Sequence, residues 1–186
     1  MIRKAQLADA NDIAQLIRQA MGILANKFVA SDDEQEIQRL FLHFIKLEAN
    51  QYSLKHILVY ELAGKVVGEI NVYDGDKIEE LRKPFFDYLK ANYHPNGFAM
   101  ERESNGGEFY IDTLSVEPAY QGKGIGKALI SAAINWAKEL NHQKIGLLVS
   151  IENPAAKKLY ESLGFKKENE VYLLGSTHEH LVFKIM

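Results

Sequence analysis

Along this chain apolar residues recur with two different periods, and the changes of period mark its elements. Ile2-Arg3-Lys4-Ala5 predicts a short strand. Ile13, Leu16, Ile17, Ala20, Met21 and Leu24 fall at helical spacing and predict a helix over about 10–25, with Asp9 as its cap. Ser31-Asp32-Asp33-Glu34 places a cap and an acidic first turn before a second helix. Its apolar face is Ile37, Leu40, Phe41, Phe44, Ile45 and Leu47. Residues 56–62 and 66–73 read as strands around a tight turn at Ala63-Gly64-Lys65, a hairpin pattern.

Asp74-Gly75-Asp76 breaks that pattern and opens an excursion over about 74–107. Ile78, Leu81, Phe85, Phe86, Tyr88 and Leu89 predict helix there, with Pro84 expected to divide it into two pieces. The polar remainder predicts an inserted, partly mobile segment, either a surface elaboration or a substrate lid. An apolar strand over 109–116 follows, then a short turn with Pro118 and a helix running to Lys138. Residues 144–150 predict a buried strand. Asn153-Pro154 starts a further helix that ends at Gly164. Two strands, 165–174 and 180–185, close the chain around Gly175-Ser176. The order predicts an α/β (α+β) fold: one domain over 1–186, a mixed, mostly antiparallel twisted sheet flanked by helices.

Composition narrows the function. A net charge of −3 gives no general attraction to nucleic acid. The absence of cysteine excludes disulfides, thiolate metal sites and a cysteine nucleophile. No apolar run approaches the ~20 residues of a membrane span, and the N-terminus lacks the shape of a signal peptide, so a cytoplasmic protein is expected. His178-x-His180 reads as a turn feature with no third ligand nearby, so no metal is expected. His94 reads as a surface residue of the excursion. Glu101, Glu103 and Glu108 read as a solvated run, or as a lure for a cationic amine. The C-terminal edge strand makes a homodimer a reasonable expectation.

The chemistry centres on Gln121-Gly122-Lys123-Gly124-Ile125-Gly126-Lys127, which lies between a strand and the start of a helix. Free N–H groups and the helix dipole make such a turn an anion site, and glycines let a pyrophosphate approach the main chain. Simple close packing would produce the same glycines. The turn is no P-loop, since it lacks the Gly-Lys-Ser/Thr ending, and it lacks the dinucleotide spacing Gly-x-Gly-x-x-Gly.

This loop, the Leu114-Ser115-Val116-Glu117-Pro118-Ala119-Tyr120 approach to it, and the downstream Asn153–Phe165 segment together resemble the GCN5-related N-acetyltransferase (GNAT) superfamily. The resemblance is strong over about 108–166. It implies acetyl-CoA as co-substrate, its pyrophosphate on the amides of Gly122 through Lys127. It also implies that the pantetheine arm pairs with the main chain of Leu114, Ser115 and Val116, and that Asn153 contacts the arm. Strands 109–116 and 144–150 would splay apart to admit the thioester. Tyr160 matches the tyrosine near the sulfur and is the expected acid, with a packed aromatic as its plain structural alternative. Asp112, a carboxylate in an apolar strand with the parity of Leu114 and Val116, is the expected base. A structural aspartate is the competing reading. Glu108, Tyr110 or a water chain would serve in its place.

The expected reaction is direct acetyl transfer to a primary amine, most simply of a small molecule and otherwise of a peptide or protein. Ser115 has no evident base and makes a poor nucleophile. The competing readings are a CoA-binding regulatory module and a nucleotide-binding protein.

Overall fold

The computed structural model describes residues 1–104 and 106–185. Its elements, in chain order, are β1 (Ile2–Lys4), α1 (Ala10–Met21), α2 (Ile23–Val29), α3 (Glu34–Ile45), β2 (Ile57–Leu62), β3 (Lys65–Asp74) and α4 (Ile78–Asn92). The second half adds β4 (Phe109–Val116), α5 (Ile125–Glu139), β5 (Lys144–Ser150), α6 (Pro154–Ser162), β6 (Lys166–Leu173) and β7 (Ser176–Lys184). Seven strands form one sheet in the order β1-β2-β3-β4-β5-β7-β6. All neighbours are antiparallel except β4 and β5. The mixed, mostly antiparallel architecture expected from the element order is the one observed.

Helices α1 to α4 cover one face around Ile13, Ile17, Phe28, Phe41, Phe44 and Phe85. Helices α5 and α6 lie against the other, where Val67, Ile70, Ile111, Leu129, Ile130 and Tyr160 meet. Both hairpin turns place two residues at positive φ, Ala63 and Gly64 (φ 50° and 80°) and Leu174 and Gly175 (φ 42° and 94°). That geometry matches the right-handed twist of the strands they join. The edges of the sheet are the three-residue β1 and, at the other end, β6, whose exposed Lys166, Lys167, Glu168 and Glu170 oppose edge-to-edge pairing.

Four local expectations are corrected. The first helix stops at Met21, because Gly22 adopts φ 51° and ψ −130° and turns the chain into α2. Asp9 does not cap α1 with its side chain; its carboxylate binds the Arg3 guanidinium at 2.7 and 2.9 Å and accepts the Gln6 N–H. Helix α4 runs unbroken through Pro84. Proline removes one backbone hydrogen bond, but Phe85 in the next position is fully buried, 5.0–5.1 Å from the rings of Phe28, Phe44 and Tyr52. Packing of that aromatic cluster offsets the loss, so much of the expected excursion is core. The two C-terminal histidines lie within β7 and not in a turn.

Helix α5, which carries the glycine loop at its N-terminus, approaches β3 closely at Gly68. A Cβ there would sit 3.2 Å from Ile125 Cγ2, Leu129 Cδ1 and the Ser115 carbonyl oxygen. Gly68→Ala is expected to lift the head of α5 and cost about 1–3 kcal/mol, measured by urea unfolding. Wild-type stability in this variant would mean that the helix is not held by that contact.

Candidate active site

Strand β4 is where the two halves of the site meet. It pairs with β5 through Phe109↔Ile145, Tyr110↔Gly146 and Ile111↔Leu147 only. Beyond Ile111 the strands separate. The separation coincides with one extra residue in β4: Thr113 lies opposite Asn71 and Ile111 opposite Val72, so Asp112 has no partner on β3. Such a bulge bends the strand and resets its alternation. Phe109, Ile111, Leu114 and Val116 therefore share the α5 face. Asp112 does not share it with Leu114 and Val116, contrary to the parity expectation. It turns to the α1–α4 face with Thr113, where the Tyr73 hydroxyl donates to its Oδ2 at 3.0 Å.

The Glu117 N–H donates to the Val67 carbonyl across the β3–β4 ladder. Alternation from that pair directs the main chain of Ser115 and Thr113 at β3, and that of Leu114 and Val116 at the opened edge. The Val116 carbonyl on that edge accepts the side-chain amides of Gln19 and Gln121, each at 2.9 Å. Ser115 offers the edge neither its main chain nor its hydroxyl, which accepts the Gln19 amide at 2.8 Å under α1.

The glycine loop continues from that edge. Gly122 and Gly124 have φ of 72° and 81°, and a Cβ on either would meet nothing within 4 Å. Gly124 is the N-cap of α5. Among the described residues, the N–H groups of Gly122 through Lys127 find no backbone acceptor; the first to do so is Ala128, which donates to Gly124. Six unpartnered donors, a helix N-terminus and open space fit a pyrophosphate. Lys123 and Lys127 are exposed beside them, and Lys123 Nζ reaches the Ala119 carbonyl at 3.0 Å.

A cleft of about 450 Å³ fills the gap between β4 and β5 and brings Asp112, Thr113, Leu114, Asn153 and Tyr160 to one cavity, with Glu103 and Tyr110 on its wall. Asn153 caps α6, its Oδ1 accepting the Ala156 N–H at 3.1 Å. Tyr160, buried on α6 with its ring 5.8 Å from that of Phe165, has its phenol pushed up to about 12, by burial and then by the charge of Glu69. It stays protonated over the whole physiological range. Burial, and next the charge of Glu103, push the Asp112 carboxyl well above the ordinary range, against the hydrogen bond from Tyr73 and the charge of Arg82. Glu103 is raised as well, chiefly by burial, while the Tyr110 hydroxyl (3.0 Å) and Arg82 pull it down.

The alternative bases are engaged elsewhere. Tyr110 donates to Glu103. Glu108, 1% exposed, accepts the Ser104 hydroxyl at 2.7 Å and meets His180 Nε2 at 3.1 Å from both carboxylate oxygens. Glu103 and Glu108 are thus no solvated run. His94 is tied to the core, its Nε2 2.9 Å from the Phe28 carbonyl. No group of three His, Asp or Glu among the described residues is placed to hold a metal ion. No helix among them is long and apolar enough to cross a membrane.

One residue escaped the sequence reading. Glu69 is fully buried on β3, on the same face as Asp112. Its Oε2 accepts the Thr113 hydroxyl at 3.2 Å, and its Oε1 is buried with no hydrogen-bond partner. Burial pushes its carboxyl up to about 8, with Asp112 adding to the rise and Thr113 opposing it. A lone carboxylate inside the apolar run 66–72 was the available signal.

The chain matches the family model described as the acetyltransferase (GNAT) family over residues 17–165. It belongs to the GNAT family. Two solved structures are similar to the chain along its length. One, described as an acetyltransferase, is 28% identical with a TM-score of 0.82 and complete coverage of both chains. The other, an N-acetyltransferase from Staphylococcus aureus, is 26% identical with a TM-score of 0.81, covering 98% of this chain and 100% of that one. A mycothiol acetyltransferase of Renibacterium salmoninarum is 44% identical over 61 residues, 33% of this chain and only 18% of that longer protein.

In this GNAT protein the raised Glu69 carboxyl has a consequence for stability. An acid that holds its proton more tightly when folded loses native stability as pH rises from its unfolded value, 4.5, to its folded value, about 8. Glu69→Gln is therefore expected to be more stable than wild type at pH 9, by about 1–4 kcal/mol, with the gap closing near pH 4. Urea unfolding across that range checks it. A variant no more stable than wild type at pH 9 would contradict the buried, costly carboxylate.

Proposed function

We propose that the chain transfers an acetyl group from acetyl-CoA to the primary amine of a small molecule, by direct attack with both substrates bound. The observation that carries this reading is the continuous path from the unpartnered amides of Gly122–Lys127, along the open edge at Val116 and Leu114, into the cleft that holds Tyr160 and Asp112. In this reading Gln121 and the amides of Gly122, Lys123, Gly124, Ile125, Gly126 and Lys127 hold the pyrophosphate, and Lys123 and Lys127 add charge. The main chain of Leu114 and Val116 pairs with the extended arm as an added strand would. Asn153 orders the start of α6 beside it, so that Tyr160 is aimed into the cleft.

Acetyl-CoA supplies the acyl group already activated as a thioester. Asp112 takes a proton from the incoming ammonium, leaving a neutral amine able to attack. A main-chain N–H of Leu114 or Val116 stabilises the negative charge that develops on the acyl oxygen. Tyr160 gives its proton to the departing sulfur. With no cysteine in the chain and the Ser115 hydroxyl held by Gln19 away from the cleft, direct transfer is favoured over an acyl-enzyme.

A small acceptor is favoured by the roof of the cleft. The Lys27 ammonium donates to the Leu174 carbonyl, and Glu101 accepts the Leu174 N–H at 3.0 Å, so the β6–β7 turn is fastened over the cavity. Glu103 and Asp112 on the wall favour a cationic amine.

Tyr160→Phe is expected to lower kcat by about 10–10³-fold with little change in KM for acetyl-CoA, in a CoA-release assay over spermidine, aminoglycosides, amino acids and short peptides. Equal losses in kcat and in affinity would remove the acid role. Gly124→Leu, whose side chain would enter the open space above the loop, is expected to weaken acetyl-CoA binding by at least about 10² while costing roughly 1–2 kcal/mol of stability for its positive φ. Unchanged affinity, measured by calorimetry, would move the pyrophosphate site elsewhere.

A further inference from the structure

Acetylation of an amine that arrives as an ammonium removes two protons from nitrogen and adds one to sulfur. The cleft must therefore accept protons twice, once before attack and once as the amide forms. Asp112 accounts for one acceptance only. We propose that Glu69 is the second proton acceptor, reached from the cleft through the hydroxyl of Thr113; this rests on the acetyltransferase reading of the same site.

The bulge makes the arrangement. Because Asp112 is the extra residue of β4, it and Thr113 stand side by side on the α1–α4 face, and both line the cleft. Thr113, 4% exposed, donates its hydroxyl to Glu69 Oε2 at 3.2 Å. Glu69 does not line the cleft itself, so it acts through Thr113 as a positioning residue and proton store. The step balances. As the C–N bond forms and the C–S bond breaks, the second N–H proton passes to Thr113 Oγ, and the Thr113 hydroxyl proton passes to Glu69 Oε2. Tyr160 protonates the sulfur. Glu69 then returns its proton, by way of solvent, to Tyr160, and Asp112 releases the other to bulk water.

The groups facing Glu69 suit that task. Burial does most to raise the Glu69 carboxyl, and from β4 the charge of Asp112 adds to it; from α6 comes Tyr160, whose phenol feels the Glu69 charge; the segment before β2 brings Tyr52. Tyr73 joins Asp112 on the same face, and Glu103, with Arg82, lies beyond Asp112. The buried residues of α1, which packs on this face, are apolar and bring no cation to fix Glu69 as a salt bridge. Its Oε1 is likewise left without a partner. A carboxyl that served only to hold β3 to β4 would gain from such a partner.

The test combines kinetics with a titration that needs no substrate. Infrared or carboxyl ¹³C NMR titration of the acyl-free protein should show a carboxyl, absent from Glu69→Gln, that ionises near pH 8. In wild type, kcat should rise with pH through that same value. Glu69→Gln and Thr113→Val should each lose roughly 10²-fold in kcat and lose that rise, with acetyl-CoA affinity kept. Thr113→Ser, which restores the hydroxyl, should recover most of the rate. The proposal is overturned if Glu69→Gln keeps the wild-type kcat and pH profile, or if Thr113→Ser is as slow as Thr113→Val. A wild-type protein that binds acetyl-CoA but acetylates no amine would instead sink the acetyltransferase reading, independently of Glu69.

Discussion

The whole site depends on one extra residue in one strand. A regular β4 would pair with β5 to its end, close the edge, and leave no room for a ligand. With Asp112 inserted opposite nothing on β3, the strand bends away after Ile111, and the main chain of Leu114 and Val116 is left facing a gap. The same bend resets the alternation, so that apolar Leu114 and Val116 seal the α5 side while Asp112 and Thr113 look into the cavity from the other. Opening the sheet and arming the gap are thus a single geometric event. Unpaired backbone polar groups are costly when buried, which is why the opened edge invites an extended ligand able to satisfy them.

The polar face under α1–α4 is the energetic counterpart. Glu69, Asp112 and Glu103 are enclosed with few cations, and burial raises all three. Each is held by a neutral hydroxyl, of Thr113, Tyr73 and Tyr110 in turn. A structure selected only for stability would pair or remove such groups. Their retention beside a cleft is the pattern of a functional site whose carboxyls hold their protons more tightly than exposed ones do. The aromatic cluster around Phe85, which draws α4 into the core, gives the fold the rigidity to carry that cost.

Much of this was legible in the chain. Strand and helix positions follow the apolar periods because each element buries one face. The open turn at Gly122 and Gly124 could be read because glycines between a strand and a helix start take positive φ and keep side chains off the main chain. Asn153-Pro154 announced α6 by its own capping chemistry. What could not be read is what depends on partners distant in sequence. In Phe109–Val116 the apolar positions step from Phe109 and Ile111 to Leu114 and Val116, a change of phase whose meaning as a bulge appears only when β3 lies beside it; the parity argument assumed an unbroken period of two and assigned Asp112 to the wrong face. Pro84 read as a break because local backbone chemistry says so, whereas the burial of Phe85 decides otherwise. Glu69 was hidden by its setting, a single acidic residue whose significance depends on Thr113 forty-four positions later.

The central claim is that an acyl-CoA lies along the opened β4 edge with its pyrophosphate on the glycine loop. Backbone amide NMR during titration with acetyl-CoA addresses it most directly, with ATP and NAD as controls. The account predicts saturable shifts of the Gly122–Lys127 amides together with those of Leu114 and Val116, produced by acetyl-CoA and by neither control. No binding at millimolar acetyl-CoA, or the same shifts with ATP, would contradict it.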